Sequence, residues 1–184
     1  MGAQGYALFD TAIGRCGIAW GAQGIRGVQL PQPAETQTRQ RLVERSGGEA
    51  IEADAPSNIA VVVDDIKALM GGERRDLSHA VLDTARVSAF QRNVYDIARG
   101  IRPGATLTYG DIAKQLGDVA LSREVGQALG QNPFPIIVPC HRVLAAGDKP
   151  GGFSANGGVA TKLRMLAIEG AHVNYTPSLF DDLL

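Results

Sequence analysis

The sequence contains few of the residues from which disulfide frameworks and zinc sites are built. Among 184 residues there are two cysteines, Cys16 and Cys140, and three histidines. The two cysteines lie far apart in the chain and do not form the paired spacing of a zinc site. Each thiol must therefore have a separate explanation, and the sequence predicts neither a metal nor a cofactor.

Long hydrophobic runs are also missing. No stretch approaches the ~18 consecutive apolar residues that cross a bilayer. Residues 1–6 carry neither the basic start nor the apolar core of a secretory signal. We therefore expect a cytoplasmic protein that does not enter a membrane.

Composition predicts a folded chain, because 45% of its residues are hydrophobic and 20% are charged. The charge is uneven: residues 84–170 hold 10 Lys and Arg against 6 Asp and Glu, whereas residues 1–83 hold 8 against 11. Such a surplus permits nucleic-acid binding but equally fits an ordinary solvated surface. We expect an α/β lobe over residues 1–83, a mostly helical lobe over 84–170 and an acidic tail over 171–184.

Short apolar runs separated by glycines predict a small β-sheet near the start of the chain. The runs are residues 6–9, 18–20 and 25–30. A weaker helical pattern follows over residues 35–45. A stronger pattern covers residues 57–70, with Ser57 as the expected N-cap.

Short, capped helices dominate the second lobe. Ser88 with Gln91, and Thr108 with Asp111, have the spacing of a capping box. A further short helix should begin near Ser122. Two brief helices joined by a glycine-containing turn have the outline of a helix-turn-helix. Many small helical proteins share this outline, so the spacing alone leaves the motif open.

Prolines surround the second cysteine. Pro133, Pro135 and Pro139 exclude a regular helix and favour extended backbone before each proline. We therefore predict a rigid extended arm over residues 132–143 that carries Cys140. A last helix should follow over residues 160–169.

Cys140 is followed by His141, and this pair has two interpretations. It can be a buried small hydrophobic residue, Cys140, beside a surface histidine, His141. It can also be a sulfur nucleophile whose proton the imidazole removes, with Glu169 orienting the ring. Adjacent side chains of a strand point to opposite faces, so contact needs a turn or a bridging water. Cys16 has no such neighbours and is predicted to be a packing residue.

Two other histidines and the glycine-rich stretch carry no recognisable motif. His79 and His172 stand alone, without metal-ligand spacing, and are expected at the surface. The glycines between residues 147 and 158 lack the Gly-Lys-Ser/Thr of a phosphate-binding loop.

Residues 132–143 read Asn-Pro-Phe-Pro-Ile-Ile-Val-Pro-Cys-His-Arg-Val. This segment resembles the active-site signature of the methylated-DNA–protein-cysteine methyltransferases, the O6-alkylguanine-DNA alkyltransferases. The likeness covers about residues 88–170 and includes the stretches that begin at Phe90, Thr108, Ser122 and Lys162. The first lobe matches only loosely.

The resemblance implies a fold and an activity. The fold is a small sheet-and-helix lobe followed by a helical, winged-helix-like lobe that binds duplex DNA through the helix-turn-helix. The damaged guanine is rotated out of the stack, because its O6 alkyl carbon cannot meet a protein sulfur inside the duplex. The alkyl group then moves irreversibly to Cys140, and O4 of thymine is a second candidate substrate. The expected partner is double-stranded DNA containing O6-alkylguanine, bound by a monomer.

The resemblance also implies roles for individual residues. Cys140 is the nucleophile, His141 the base that acts through water, and Glu169 the group that holds the imidazole. Asn132 fixes the backbone before the nucleophile, and Tyr109 assists nucleotide rotation and the departure of guanine. The implied substrate contacts are Val143, Phe153, Ser154 and Lys162. The implied DNA contacts are Thr108, Ser122, Arg142 and, as the finger that fills the gap in the stack, Arg123.

One departure from the family pattern leaves the alkyl-group preference open. Many members have Gly-Tyr-Ser-Gly-Gly where residues 152–158 read Gly-Phe-Ser-Ala-Asn-Gly-Gly. Two alternative functions remain at this point. One is a non-catalytic module that only flags alkylated DNA, and the other is a thiol hydrolase, which needs an oxyanion hole that the sequence does not reveal.

Overall fold

The computed structural model describes residues 4–176. The predicted sheet forms as two successive antiparallel hairpins, with a short parallel strand added at one edge in the order β3-β2-β1-β4. Gly24 begins the third strand with φ of +125°, and a Cβ there would lie 2.5 Å from a backbone oxygen, so only glycine fits this turn. The strands are β1 (Gly5–Thr11), β2 (Gly14–Gly21), β3 (Gly24–Gln29) and β4 (Ile51–Glu52).

Two helices pack beside this sheet, and both were predicted. They are α1 (Glu35–Ser46) and α2 (Ser57–Met70). The expected N-cap of α2 is wrong, because Pro56 occupies that position without a side-chain hydrogen bond and Ser57 is already helical. Proline fits at the entrance of a helix, where its missing N–H costs nothing. Residues 4–70 are called the sheet region below.

Residues 89–170 are called the helical region below, and its first two helices begin at the two predicted capping boxes. The Ser88 hydroxyl accepts from the Gln91 amide at 3.2 Å, and the Thr108 hydroxyl accepts from the Asp111 amide at 3.0 Å. Both boxes are thus confirmed. The helices are α3 (Ala89–Arg99), α4 (Tyr109–Gln115), α5 (Ser122–Gly130) and α6 (Gly158–Ile168). Two parallel two-residue strands, β5 (Leu107–Thr108) and β6 (Val143–Leu144), join the start of α4 to the end of the cysteine segment.

A single hydrophobic cluster runs through both regions. It contains Ile18 and Val28 from the sheet, Ile66 from α2, and Val94 and Ile112 from the helical region. These side chains are almost wholly removed from water, which makes their contacts the main favourable term in folding. The cluster therefore holds the sheet against the helices that carry the site. The expected α/β class, with a sheet first and helices second, is confirmed.

The predicted extended arm before Cys140 is wrong. The chain between Asn132 and Cys140 folds into a tight turn, in which the Val138 amide donates to the Phe134 carbonyl at 2.8 Å. Ile136 adopts φ of +74°, an uncommon conformation for a β-branched residue. The prolines exclude a helix, as expected, but tight turns also accommodate them. Residues 132–142 are called the cysteine segment below.

The other thiol and the lone histidines lie where the sequence placed them. Cys16 is fully buried in β2, and His79 and His172 are exposed. Within the described 4–176 range, none of the helices combines the length and the hydrophobicity of a membrane-crossing segment. Residues 171–176 form neither helix nor strand, and the rest of the predicted acidic tail, residues 177–184, lies outside the described residues.

Candidate active site

Cys140 lies at the start of a single 3-10 turn, Cys140–Arg142, directly before β6. Its amide donates to the Val138 carbonyl at 2.8 Å. The residue is partly exposed and lines two cavities, one facing α4 and α5 and one facing the sheet region. Consecutive side chains project about 120° apart in a 3-10 turn, so Cys140 and His141 point less far apart than they would in a strand.

Asn132 holds the cysteine segment together from the inside. Its side-chain amide donates to the Val138 carbonyl at 2.8 Å, and its Oδ1 accepts from the Phe134 amide at 2.9 Å. A buried amide that makes both bonds is strongly oriented, because losing either would leave a buried polar group without a partner. The structure thus places Asn132 where it fixes the backbone that leads to Cys140.

A buried charged cluster lies behind the sulfur. His141 Nε2 lies 2.9 Å from Glu169 Oε1, at the end of α6. Arg142 donates two hydrogen bonds to the same carboxylate, from Nε at 2.9 Å and from Nη2 at 2.7 Å. Its Nη1 donates to the Ile101 carbonyl at 2.6 Å. The side chains of His141 and Glu169 have no exposed surface. The sequence predicted the His141–Glu169 pair but not the arginine that anchors it.

The electrostatics of this cluster assign the proton positions. Burial alone raises the pKa of Glu169, but hydrogen bonds from His141 and Arg142 outweigh it and lower that pKa to about 2. Burial lowers the pKa of His141, against the opposing effect of Glu169, and favours a neutral imidazole. Since an ionised Glu169 accepts from Nε2–H, the imidazole must carry its lone pair on Nδ1.

The Nδ1 atom of His141 is therefore the basic nitrogen of the cluster. It is buried and has no hydrogen-bond partner among residues 4–176. A nitrogen in that state is able to accept a proton directly or through one water. The cluster is equipped to take the proton of a nearby thiol.

The Cys140 thiol is protonated at rest. Burial raises its pKa, while a hydrogen bond from Asn132 and the positive charge of Lys162 act in the opposite direction. A protonated thiol is a weak nucleophile, so a base must remove its proton during reaction. His141, the next residue in the chain, carries a buried Nδ1 without a hydrogen-bond partner among the described residues.

Lys162 supports the wall of the site from α6. Its ammonium group donates to the Val143 carbonyl at 2.6 Å and to the Gly152 carbonyl at 3.3 Å. It also lies 5.8 Å from the ring centroid of Tyr109 and 5.9 Å from that of Phe153. Burial lowers the pKa of Lys162 to about 8. Lys162 and the fully buried Val143 thus lie behind the cavity described next and do not line it.

The cavity that faces α4 and α5 has a volume of about 340 Å³. Gly151, with φ of +69°, brings the backbone so near Tyr109 that a Cβ there would lie 3.2 Å from the phenol oxygen. Burial raises the pKa of Tyr109, so its hydroxyl remains a proton donor. The lining residues are Tyr109, Gly126, Leu129, Gly130, Cys140, Gly152, Phe153 and Ser154.

The predicted DNA contacts have different environments. Arg123 is exposed on α5. The Ser122 hydroxyl donates to the Val119 carbonyl at 2.6 Å, and the Thr108 hydroxyl caps α4. The prediction that Arg142 contacts DNA is wrong. Arg142 is 5% exposed and bound to Glu169, so its charge is not available to a phosphate.

Two arginines have partners far away in the chain that the sequence did not predict. Arg142 reaches Glu169 27 positions away, and Arg45 of α1 reaches the Asn132 carbonyl 87 positions away. The sequence contains no local signal for either contact, because each partner is defined only by the packing of two separate elements.

Comparison with known proteins identifies the family. Residues 89–171 match the family described as 6-O-methylguanine DNA methyltransferase, DNA binding domain. A methylated-DNA–protein-cysteine methyltransferase of Methanothermobacter thermautotrophicus is 31% identical over 154 residues, which cover 84% of this chain and 78% of that protein.

Solved structures agree with this match. The Mycobacterium tuberculosis O6-methylguanine methyltransferase is 30% identical and superposes with a TM-score of 0.71 over 91% of this chain and 93% of that chain. The same organism's protein in complex with DNA is 32% identical, with a TM-score of 0.67 over 89% and 92% of the two chains. Together with the thiol, the buried base and the adjoining cavity, these matches show that the chain belongs to the methylated-DNA–protein-cysteine methyltransferase family.

Proposed function

We propose that this protein repairs DNA by moving an alkyl group from O6 of guanine in a duplex to the sulfur of Cys140. The observation that carries the proposal is the position of Cys140, partly exposed on a cavity of about 340 Å³ and next in sequence to the buried His141–Glu169 pair. A cavity of this size falls within the usual range for small-molecule sites. It offers room for a base that has left the helical stack.

The target guanine must leave the duplex before reaction. Its O6 alkyl carbon lies among stacked bases, where a sulfur atom on a protein surface cannot approach it in line. We place α5 against the DNA, with Arg123 as the exposed side chain that fills the gap left by the base. The DNA-bound relative with a TM-score of 0.67 supports this use of the fold.

The transfer step then involves one bond made and one broken. The lone pair of Cys140 Sγ forms a bond to the alkyl carbon as the bond from that carbon to guanine O6 breaks. The thiol proton passes to His141 Nδ1 through water, and Glu169 stabilises the resulting positive charge. Tyr109, which keeps its proton, donates a hydrogen bond as negative charge develops on the departing guanine. The guanine anion then takes up a proton at N1 from water as the imidazolium releases one.

The reaction has no return step. The product is a thioether, which has no good leaving group and no hydrolysable bond. Each protein molecule therefore acts once. Phe153 and Ser154 line the cavity beside the sulfur and contact the alkylated base, while Lys162 and Val143 hold the wall from behind.

We further propose that the protein acts as a monomer in the cytoplasm. All of the groups named in the transfer step come from one chain. Its two thiols are free, which fits a compartment that keeps cysteines reduced.

Intact-protein mass spectrometry after incubation with an O6-methylguanine duplex tests the proposal. We expect a mass increase of one methyl group, located on the peptide that contains Cys140, with a yield that stops at one equivalent. An unmodified duplex is the control. Duplex binding with unchanged mass would instead indicate a lesion-flagging module, and repeated turnover of an ester or peptide would indicate a hydrolase.

A further inference from the structure

Arg45 extends from the last turn of α1 in the sheet region to the cysteine segment. Its Nη1 donates to the Asn132 carbonyl at 3.4 Å and to the Val28 carbonyl of β3 at 3.3 Å. Beside it, the Val28 amide donates to the Pro133 carbonyl at 2.9 Å. Two consecutive carbonyls of the cysteine segment are thus bound by the sheet region.

These contacts continue to the nucleophile through Asn132. Its backbone carbonyl is held by Arg45, while its side chain holds the Val138 carbonyl at 2.8 Å. Val138 in turn accepts from the Cys140 amide at 2.8 Å. Hydrogen bonds thus connect the Arg45 guanidinium to the Cys140 backbone amide through Asn132 and Val138.

The second cavity at Cys140 opens on the same arginine. It has a volume of about 30 Å³, and its wall includes Cys140, Arg45, Arg41 and Gln29. Gln29 is 3% exposed, and its Oε1 has no hydrogen-bond partner within the described part of the chain. This space is large enough for an ordered water with polar neighbours. The sulfur thus has the substrate cavity on one side and a polar, positively charged cavity on another.

We propose that Arg45 is a positioning residue for alkyl transfer, through which the sheet region fixes the cysteine segment and places a positive charge beside the Cys140 sulfur. This inference rests on the proposed function for its connection to repair. Its structural content, the effect of Arg45 on the reactivity of Cys140, does not depend on the substrate.

Electrostatics supports this assignment. Burial lowers the pKa of Arg45, which shows that its charge is partly removed from water and hence less screened. That charge acts to lower the pKa of Cys140, together with the charge of Lys162. The titratable and charged groups that face Cys140 are Arg45 of α1, Arg41 at the second cavity, Tyr95 of α3, Tyr109 of α4, Lys162 of α6 and the adjacent His141.

The test compares Arg45→Gln and Arg45→Lys with the wild type and with Arg39→Gln. Arg39 is a matched control, because it lies on the same helix but pairs with Glu35 and Glu52 and lines neither cavity at Cys140. Each protein is treated with iodoacetamide over a range of pH, and the modified peptides are identified by mass. Cys16 reports folding in the same spectrum, since it is fully buried and should stay unlabelled.

We expect Arg45→Gln to move the pH midpoint of Cys140 labelling upward by about half a pH unit or more, which is roughly a threefold loss of thiolate near neutral pH. Arg45→Lys, which retains the charge, should keep the wild-type midpoint. Arg39→Gln should do the same. A midpoint for Arg45→Gln that matches Arg39→Gln would overturn the proposed effect of the charge.

Alkyl transfer from O6-benzylguanine provides the second readout. Arg45→Lys should transfer several-fold more slowly than the wild type, because the lysine side chain is one atom shorter and does not carry its ammonium group to the position from which Arg45 Nη1 donates to both carbonyls. An unchanged rate would overturn the positioning role of Arg45. The comparison of Arg45→Lys with the wild type also tests this role if Cys16 becomes labelled in Arg45→Gln, which would mean that Arg45→Gln is unfolded. Failure of the wild type to accept an alkyl group from either O6-benzylguanine or an O6-methylguanine duplex would refute the proposed function, while the labelling midpoints would still test the role of Arg45.

Discussion

The two thiols, one in each region of the molecule, have opposite surroundings. Cys16 is wholly buried in β2, where its sulfur contacts the Thr11 hydroxyl at 3.7 Å and burial raises its pKa to about 12. Cys140 is partly exposed and lies between two cavities. Burial also raises its pKa, but Asn132 and Lys162 counteract that effect.

The comparison separates reactivity from resting acidity. Neither thiol is a stable thiolate at neutral pH, so a low pKa does not distinguish the nucleophile. Cys140 differs because it has an opening, an imidazole with a free basic nitrogen and nearby positive charge. The helical region thus supplies access and the base of the proposed mechanism, whereas the sheet region around Cys16 supplies only packing.

The largest expected effect comes from Cys140→Ala. Removing the sulfur removes the alkyl acceptor, so transfer from an O6-methylguanine duplex should become undetectable. Binding to that duplex should persist, because the α5 surface is unchanged. Mass spectrometry measures transfer, and a gel-shift titration measures binding. Any methyl transfer that survives in this variant would contradict the assignment of the nucleophile.

Glu169→Gln should have the next largest effect on transfer. A neutral amide stabilises the charged imidazole poorly, and general-base assistance contributes about 100-fold or more to such reactions. The single-turnover rate should therefore fall by about that factor. Breaking a buried ion pair also leaves Arg142 without its partner, at a cost of roughly 3–5 kcal/mol in unfolding free energy. Chemical denaturation at pH 7 measures this loss.

Glu169→Gln also tests how the free energy of unfolding depends on pH. The pKa of Glu169 falls from its usual 4.5 to about 2 on folding. A depressed pKa stabilises the fold above the unfolded-state value, and this contribution is lost as the pH falls toward the folded-state value. The stability gap between wild type and Glu169→Gln should therefore narrow from pH 4.5 down to about pH 2. A constant gap would show that the carboxylate is not ionised in the fold.

Arg123→Ala should distinguish duplex from free base. If Arg123 fills the space left by the rotated guanine, its loss matters only when a stack is present. We expect transfer from the duplex to slow by about tenfold, while transfer from free O6-benzylguanine changes by less than about twofold. Equal losses on both substrates would exclude the proposed finger. Lys114→Ala, which removes another exposed cation of the helical region, is the charge control.

Cys16→Ala should have the smallest effect and would complete the comparison. The substitution removes one buried sulfur from the core, which costs about 1–2 kcal/mol of unfolding free energy. The transfer rate of the folded protein should remain that of the wild type, since Cys16 has no part in the site. A changed rate would mean that the sheet region affects the nucleophile through its packing as well as through Arg45.

Most of the local structure was readable from the sequence. The capping boxes at Ser88 and Thr108 mark helix starts because their hydrogen bonds join residues three positions apart. The cysteine segment is equally recognisable, since its motif is continuous. These features depend on near neighbours, and near neighbours are visible in a linear chain.

The predictions that failed concerned both local backbone geometry and contacts between distant elements. The prolines correctly excluded a helix, but the turn at Ile136 also requires the internal hydrogen bonds of Asn132, so an extended arm was the wrong choice. Arg142 was predicted to contact DNA as a basic residue next to the motif. Arg142 is instead bound to Glu169, which α6 places beside it.

The sequence alone determined that this chain carries an isolated thiol beside a histidine, in a stretch where prolines prevent a helix. It also determined which residues begin most of its helices. Only the tertiary structure decided which nitrogen of His141 remains basic, which arginine is buried and which reaches across from the sheet. The physical reason is that burial and pairing set charge and proton positions, and both arise only when separate elements pack together.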